Sequence, residues 1–504
     1  MKSGFFLLTA IVTLSVLSAC GKSTLPTPVP SPGTDQIPDP AILGNTIFFT
    51  SVDRTSVIRN PCTGWSLYDD ATGDPVNAAK FWSLQDPYVK YASIYYLRWR
   101  WADMEPEEGK YAWIYDENYK AIIQGAWDRG LKVAFRVFDD SYDNKYAGTP
   151  EFVRQAGAEG RVAGRFWTPY EDDPVFKQKM ENFVRAFAAQ YNDPSKVDFV
   201  DGVNLGSWGE CHHLVLKDES QNNKTAVLEW ITDLYSKYFT KVPLIMPVNS
   251  EFGHDNELRI ARDRHNYGFR RDGLGSMWFY PDEKARVKPL YPSTLLIGEA
   301  CYSGGNETDD IHWILETETY YDFTGWGDIY EATFNDAIDY HFNVLDLRTP
   351  IESKRWVTRF PTLVQKFIEI GGYRLYPDEV SVPEKMESGK SYTVSHRWVN
   401  LAGGIFPNNI HGWNYKYKVA FALLDINGSV KKMFIDTQAE PHDFVQDKPQ
   451  SYKFQIALNG VDPGNYSFAV AIIDTTADNK PGIKLATRND HIKDWTKIAD
   501  VKVE

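Results

Sequence analysis

The chain has 504 residues, of which 43% are apolar and 24% are charged, and its formal net charge is −14. This length exceeds one ordinary domain and predicts at least two, while the composition is that of a soluble globular protein. An acidic surface repels phosphate backbones, so we expect no nucleic-acid partner. Aromatic residues make up 14% of the chain, which fits either a large aromatic core or surfaces that stack on sugar rings.

Residues 1–20 have the order of features found in a bacterial lipoprotein signal peptide. Lys2 precedes an apolar run that is too short to remain as a membrane span, and the run ends in the sequence LSAC at Cys20. This end closely resembles the lipobox, in which the signal is cut before the cysteine and that cysteine is acylated. The resemblance implies a lipid anchor at Cys20 and a location in the bacterial cell envelope, at the outer membrane or cell surface. An ordinary secretory signal is the alternative.

Residues 21–45 are rich in proline and serine, which predicts an extended tether between the membrane and the folded part.

Residues 46–371 alternate short apolar runs with amphipathic helical segments, a pattern that predicts a parallel sheet. The candidate strands are 64–69, 91–99, 131–138, 197–206, 242–248, 267–275, 294–300 and 340–345. Eight such strands suffice to close a (β/α)₈ TIM barrel. A doubly wound open sheet is the alternative, but no GxGxxG or phosphate-binding loop follows any of these strands.

Residues 372–504 have a different pattern, with alternating apolar and polar runs separated by turns of glycine, asparagine, aspartate and proline. This pattern predicts an all-β domain, most simply a β-sandwich.

Catalytic groups of a TIM barrel sit at the carboxyl ends of its strands, so the strand list becomes a list of candidate site residues. In strand order these residues are Arg98, Arg100, Asp139, Asp140, Trp208, Glu210, Arg270, Asp272, Glu299 and His341. Two of them are glutamates, Glu210 after the fourth strand and Glu299 at the end of the seventh. Such a pair of carboxyl groups suits the cleavage of a glycosidic bond, in which one protonates the leaving oxygen and the other attacks the anomeric carbon or activates water.

Residues 98–137 are similar to the second strand, the following helix and the third strand of the glycoside hydrolases of clan A. The pattern W-x-x-x-E-P-x-x-G-x-Y runs here from Trp101 to Tyr111. The chain from 46 to 504 also resembles a largely uncharacterised group of bacterial lipoproteins that join such a barrel to a C-terminal β-domain. The segments that carry this second resemblance are NPCTGWSLYDD, GSWGE, RRDGLGS and GGYRLYPDEV.

The resemblance to clan A implies a retaining glycoside hydrolase that acts on an oligo- or polysaccharide without a cofactor. Glu210 corresponds to the acid/base and Glu299 to the nucleophile, with the carboxyl groups about 5 to 5.5 Å apart. The other predicted substrate-binding residues are Arg98, Asp139, Trp208, Asp272 and Tyr302. Arg98 or Arg100 is expected to lower the pKa of the nucleophile, and the aromatic rings are expected to stack on sugar faces.

One position departs from the clan. Clan A enzymes usually have an asparagine directly before the acid/base, where it contacts the sugar 2-hydroxyl, and this chain has Gly209. The departure motivates a second hypothesis, a non-catalytic glycan-binding lipoprotein on a TIM-barrel scaffold. A structural or adhesion protein that works through the β-domain is the third.

Two other chemistries compete for the segment around Glu210. Cys211, His212, His213 and Cys301 are zinc-type ligands. However, adjacent residues of an extended strand face opposite sides, and the chain has no HExxH or paired-cysteine spacing, so we predict no metal site. A cysteine nucleophile needs a histidine base placed by the fold rather than by adjacency in sequence. A disulfide between Cys211 and Cys301 remains open at this stage.

Overall fold

The computed structural model describes residues 45–69, 73–140, 145–248, 251–300 and 325–504. The predicted signal peptide with Cys20, the tether, Cys301 and Tyr302 lie outside the described residues. Within these residues, no helix combines the length and the apolar character needed to cross a membrane.

Eight parallel strands close into a barrel, which confirms the predicted TIM barrel and excludes the open sheet. The strands up to the end of the barrel are β1 (Thr46–Phe49), β2 (Gly64–Tyr68), β3 (Ala92–Arg100), β4 (Lys132–Phe138), β5 (Gly160–Ala163), β6 (Phe166–Pro169), β7 (Val197–Asp201), β8 (Leu244–Pro247), β9 (Gly268–Leu274), β10 (Leu296–Ala300) and β11 (Val344–Arg348). The barrel runs β2-β3-β4-β7-β8-β9-β10-β11 and closes by pairing of β11 with β2. β7 is therefore its fourth strand and β10 its seventh, while β5 and β6 form a separate hairpin.

Helices cover the outside of the barrel where the amphipathic segments were predicted. The α-helices are Ala78–Gln85, Trp101–Met104, Ala112–Tyr115, Glu117–Asp128, Glu151–Gln155, Pro174–Tyr191, Gln221–Tyr238, His254–Asn256, Pro281–Val287, Trp326–Asp339, Pro350–Arg359 and Pro361–Ile370. A π-helix spans Glu257–Arg264, and short 3₁₀ helices span Val89–Tyr91, Lys288–Leu290 and Pro441–Asp443. The long helix Pro174–Tyr191 begins where its sequence predicts, because the Asp173 side chain accepts hydrogen bonds from the first-turn amides and Pro174 occupies the first position.

The C-terminal region forms two mainly antiparallel sheets that face each other across an apolar core, consistent with the predicted β-sandwich. Its strands are β12 (Leu375–Val382), β13 (Lys385–Met386), β14 (Ser391–Asn400), β15 (Tyr417–Leu424), β16 (Val430–Asp436), β17 (Gln450–Ala457), β18 (Gly464–Asp474), β19 (Lys480–Ile483), β20 (His491–Ile492) and β21 (Trp495–Val503). One sheet has the order β1-β12-β14-β17, and the other runs β13-β21-β18-β15-β16 with β19 and β20 attached. Strand β1 therefore belongs to the sandwich, although it precedes the barrel in sequence.

The β-domain packs against the amino-terminal ends of the barrel strands. Asn343, just before β11, donates to the carbonyl oxygens of Cys62 at 3.0 Å and Ile405 at 2.7 Å and accepts from the Ile405 amide at 2.9 Å. His411 N–H donates to the carbonyl oxygen of Asn266, just before β9, at 2.8 Å. The carboxyl ends of the strands, where catalytic groups sit in this fold, are at the opposite end of the barrel.

His341 is not a barrel-strand residue, in contrast to the sequence prediction. The eighth strand begins at Val344, and His341 occupies a turn with φ of 61° after the helix Trp326–Asp339. Its Nδ1 lies 2.8 Å from the Gly403 carbonyl oxygen in the β-domain. His341 thus belongs to the contact between the two domains and is remote from the carboxyl ends of the strands.

Candidate active site

Glu210 and Glu299 come together at the carboxyl end of the barrel. Glu299 is in β10, and Glu210 is in the loop that follows β7. Both residues are buried, with 3% of Glu299 and 7% of Glu210 exposed to solvent.

Three guanidinium groups bridge the two carboxylates. Arg136 donates from Nη1 to Glu210 Oε1 and from Nη2 to Glu299 Oε2, both at 2.6 Å. Arg98 lies 3.0 Å from Glu299 Oε1 and 3.7 Å from Glu210 Oε1. Arg270 Nη1 lies 3.2 Å from Glu299 Oε2 and 3.6 Å from Glu210 Oε1. Because one nitrogen contacts both carboxylates, these two oxygens are at most about 7 Å apart, within the range of glycosidase carboxyl pairs.

Asp201 binds two of these arginines, Arg136 and Arg270, and Tyr96 binds Asp201. Asp201 Oδ2 accepts from the Nε atoms of Arg136 and Arg270, each at 3.1 Å, and Asp201 Oδ1 accepts from the Tyr96 hydroxyl at 2.8 Å. Sequence reasoning did not select Asp201, Tyr96 or Arg136. The available signal was an arginine in the middle of an otherwise apolar strand, KVAFRVF, since a buried charge requires a buried partner.

The arginines determine the charge state of Glu299. Burial alone would raise the pKa of Glu299, but the guanidinium groups of Arg136, Arg98 and Arg270 outweigh burial and hold this pKa well below its usual range. Arg98 thus acts as the sequence predicted, and Arg136 contributes more. Glu299 is an anion at neutral pH, the form that a carboxylate nucleophile needs.

Two side chains of strand β11 form hydrogen bonds with the backbone of Ala300, the residue that follows Glu299. Asp346 Oδ1 accepts from the Ala300 amide at 3.0 Å, and Arg348 Nη1 donates to the Ala300 carbonyl oxygen at 2.6 Å. Burial raises the pKa of Asp346 to about 7; Arg348 opposes this shift and the charge of Glu299 adds to it. The position of Glu299 therefore depends on two side chains from the neighbouring strand.

The raised pKa of Asp346 predicts a pH dependence of stability. An aspartate carboxyl in the unfolded chain has its ordinary pKa of 3.8, whereas Asp346 has a pKa of about 7 in the folded chain. Between these values the folded state holds a proton that the unfolded state has lost, so Asp346 lowers the unfolding free energy as pH rises, by up to about 1.4 kcal/mol per pH unit. Asp346→Asn should remove this loss while keeping the acceptor for Ala300. We expect urea unfolding to show that the unfolding free energy of the variant rises relative to that of the wild type from about pH 4 to about pH 7. A difference in unfolding free energy that stays constant across this range would contradict the assignment.

The loop 205–213 holds Glu210 in a tightly folded turn. Four of its residues, Trp208, Gly209, Cys211 and His213, have φ between 55° and 68°. The Ser207 amide donates to the His212 carbonyl oxygen at 2.7 Å and closes the turn.

The packing of Gly209 gives a physical reason for a glycine directly before Glu210. A Cβ atom at this position would lie 3.0 Å from Phe138 Cβ and 3.4 Å from Arg136 Cγ and Cδ. The Cβ atom of an asparagine at this position would therefore be in tight contact with side chains of β4.

Two buried acidic residues, Glu171 and Asp140, form hydrogen bonds with the backbone of this loop. Glu171 Oε1 accepts from the Gly206 amide at 2.7 Å, and the Asp140 carbonyl oxygen accepts from the Trp208 amide at 3.0 Å. Asp139, a predicted substrate-binding residue, is 1% exposed, and its carboxyl oxygens have no hydrogen-bond partner among the described residues. Burial raises the pKa of Asp139 and Glu171 well above the usual range, with each group affected by neighbouring carboxyls. The structure thus places Asp139 in the interior beside the loop.

Asp272, His212 and Trp208 lie at the mouth of the site, each partly exposed. Carboxylate or imidazole atoms of Glu210, His212 and Asp272 all lie within 4.8 Å of one another. Asp272 forms an ion pair with Arg271; burial would raise the pKa of Asp272, but the charges of Arg271, His212 and Arg270 lower it. The Trp208 and His212 rings are 6.5 Å apart between centroids.

The Glu210, His212 and Asp272 side chains have the spacing that a metal ion requires, but their charge environment opposes one. Arg136 and Arg270 lie 2.6 and 3.6 Å from Glu210 Oε1, and a cation at this carboxylate would be repelled by both guanidinium groups.

Cys211 does not fit the role of a nucleophile or a metal ligand. It is a fully buried free thiol, and Cys301, the disulfide partner considered from the sequence, lies outside the described residues. Burial raises the pKa of the Cys211 thiol well above its usual range, which keeps it in the unreactive protonated form.

No protein-family model and no curated protein matches the chain. Among solved structures, the chain is similar to the catalytic domain of a β-amylase from Paenibacillus polymyxa, at 9% identity and a TM-score of 0.40 over 61% of this chain and 98% of that one. It is also similar to a GH30 endoxylanase from Clostridium papyrosolvens C71, at 11% identity and a TM-score of 0.36 over 82% and 97% of the two chains. A third is an endo-glycoceramidase II from Rhodococcus sp., at 12% identity and a TM-score of 0.38 over 81% and 98% of the two chains.

Proposed function

We propose that this protein is a retaining glycoside hydrolase in which Glu299 is the nucleophile and Glu210 the acid/base. The observation that carries the proposal is the pair of carboxylates in the loop after β7 and in β10, which share Arg98, Arg136 and Arg270 and lie at most about 7 Å apart. The pair is asymmetric, because β11 and the arginines hold Glu299 rigidly as an anion, whereas Glu210 sits in a loop closer to the mouth.

The reaction runs in two displacements. Glu299 attacks the anomeric carbon, the glycosidic bond breaks, and the leaving oxygen receives a proton from Glu210. Water then attacks the anomeric carbon of the glycosyl-enzyme, loses a proton to Glu210 and releases the Glu299 carboxylate. The second step restores both groups, so the reaction needs no cofactor.

The proposed substrate is a β-linked or furanosidic oligo- or polysaccharide. Trp208 is partly exposed beside Glu210, and Trp278 and Tyr280, which follow β9, are 49% and 47% exposed. Exposed aromatic rings near a barrel mouth suit stacking against sugar rings. The lipobox at Cys20 supports a proposed location in the bacterial cell envelope, held by acyl chains.

Hydrolysis over a glycan panel tests this function. We expect the purified chain to cleave one class of glycan, and Glu210→Gln to lower the rate by about 10²- to 10⁴-fold, the usual contribution of a general acid. On the 2,4-dinitrophenyl glycoside of the same sugar, whose leaving group needs no proton, the first step should lose far less. Glu219→Gln, an exposed carboxylate beyond the same loop, is the matched control. Equal losses on both substrates would remove Glu210 from the acid role.

Non-catalytic glycan binding is the second candidate, favoured by one specific observation. Glu210 is 7% exposed and its Oε1 contacts three guanidinium groups, so a purely structural ion-pair network also accounts for its position. In that case a polysaccharide would retard the protein in affinity electrophoresis without any product forming. Trp208→Ala would then weaken retardation more than Glu299→Gln would.

A further inference from the structure

His212 stands between two carboxylates at the mouth of the proposed active site. One of its ring nitrogens lies within 4.8 Å of a carboxylate oxygen of Glu210 and of one of Asp272. One water molecule can bridge such a separation, and proton transfer through a single water is efficient. His212 is partly exposed, whereas Glu210 is buried.

Three arginines surround the carboxylate of Glu210. Glu210 Oε1 lies 2.6 Å from Arg136, 3.6 Å from Arg270 and 3.7 Å from Arg98. Charge-assisted hydrogen bonds of this kind are about twice as strong as neutral ones, and a neutral Glu210 would give up that advantage. A nearby group that can hold the proton as a cation avoids this cost.

Charged groups of both signs surround His212. On its own loop His212 faces Glu210 and the exposed His213, whose ring centroid is 6.3 Å away. From β9 it faces Asp272, which is paired with Arg271. The titratable and charged groups in this surrounding are Glu210, His213, Arg270, Arg271 and Asp272. The Glu210 and Asp272 carboxylates each have an oxygen within 4.8 Å of a His212 ring nitrogen, so a proton can pass between them and the imidazole through one water.

We propose that His212 is a third catalytic residue, which holds the acid/base proton between turnovers and exchanges it with Glu210. The inference rests on the proposed glycoside hydrolase function. As the glycosidic bond breaks, the proton of the His212 imidazolium passes through the Glu210 carboxylate to the leaving oxygen, which leaves His212 as neutral imidazole and Glu210 as a carboxylate. As water attacks the glycosyl-enzyme, its proton passes through Glu210 back to His212. Glu210 thereby remains a carboxylate partner of the arginines in the resting enzyme.

Leaving-group dependence in the full chain tests the proposal. His212→Asn keeps polar contacts but cannot carry the proton, so we expect kcat/KM, which reports the first displacement, to fall about 100-fold on a cleaved glycan and only a few-fold on the 2,4-dinitrophenyl glycoside of the same sugar. His213→Asn, the neighbouring exposed histidine, should match the wild type on both. Added imidazole should restore part of the activity of His212→Ala and none of the activity of Glu210→Gln.

Each alternative result has a distinct meaning. If the wild type cleaves glycans and His212→Asn is as active as His213→Asn, or loses activity equally on both substrates without rescue of His212→Ala by imidazole, the proposal is overturned while the hydrolase function stands. If EDTA abolishes wild-type activity and zinc restores it, His212 acts on a metal and the proton role is overturned. If the wild type cleaves no glycan, the hydrolase function falls first and the role of His212 falls with it.

Discussion

Arg136→Met is expected to lower the unfolding free energy by about 3 to 5 kcal/mol, the largest stability effect of any single change in the site. The Arg136 guanidinium is completely buried and bonds to Glu210, Glu299 and Asp201. Methionine fills a similar volume but leaves three buried carboxylates short of one positive partner. Removing one partner of a buried ion-pair network costs more than the network itself contributes, because the remaining charges have no water to replace it.

Chemical denaturation followed by circular dichroism measures this effect. Arg185→Met, which changes an exposed arginine on the helix Pro174–Tyr191, is the matched control and should change stability by less than about 0.5 kcal/mol. Arg136→Lys should be intermediate, since an ammonium group keeps the charge but not the planar fork that reaches two carboxylates. A loss of unfolding free energy below about 1 kcal/mol for Arg136→Met would contradict the prediction, because the three carboxylates would then be stable without the Arg136 guanidinium.

Glu299→Gln is expected to reduce glycan hydrolysis by about 10³-fold or more, the largest activity effect of any single change. The amide cannot form the glycosyl-enzyme bond, and it also removes the charge that the three arginines surround. A 2-deoxy-2-fluoro glycoside of the cleaved sugar should add its mass to the wild-type peptide that contains Glu299 and leave the variant unlabelled.

The amount of folded protein must be compared as well, because Glu299→Gln also weakens the arginine network. We expect the variant to retain the wild-type far-ultraviolet spectrum, and Glu219→Gln to hydrolyse and label like the wild type. Azide should restore turnover to Glu299→Ala, since a small anion can replace the missing carboxylate. Labelling of a peptide without Glu299 would assign the nucleophile to another residue.

The arrangement of the two domains limits what the β-domain can contribute. It binds the amino-terminal ends of the barrel strands through contacts such as Asn343 with Ile405 and His411 with Asn266. The proposed active site opens at the other end. The β-domain therefore stabilises the barrel at the end opposite the proposed active site. The strand Thr46–Phe49, which precedes the barrel in sequence, pairs with the same domain.

Local pattern was sufficient for the main elements of the fold. Runs of alternating or continuous apolar residues marked all eight barrel strands, and a helix cap such as Asp173 marked where a helix begins. The eighth strand was misplaced by a few residues, because His341 and its neighbours form a turn that apolar pattern does not reveal. The sequence pattern also did not predict that β1 belongs to the sandwich, because a four-residue strand is defined only by the partner it pairs with.

The sequence by itself determined a barrel with a β-domain and a glutamate at the end of the fourth and seventh strands, because strand period and strand order are local properties of the chain. Only the tertiary structure decided which charges surround those glutamates. Arg136 meets Glu299 and Asp201 from strands far apart in sequence, and His212 meets Asp272 across the mouth of the barrel. Such contacts depend on barrel closure, and Coulomb interactions at these short distances within a buried site then set which carboxylate is an anion and where a proton can rest.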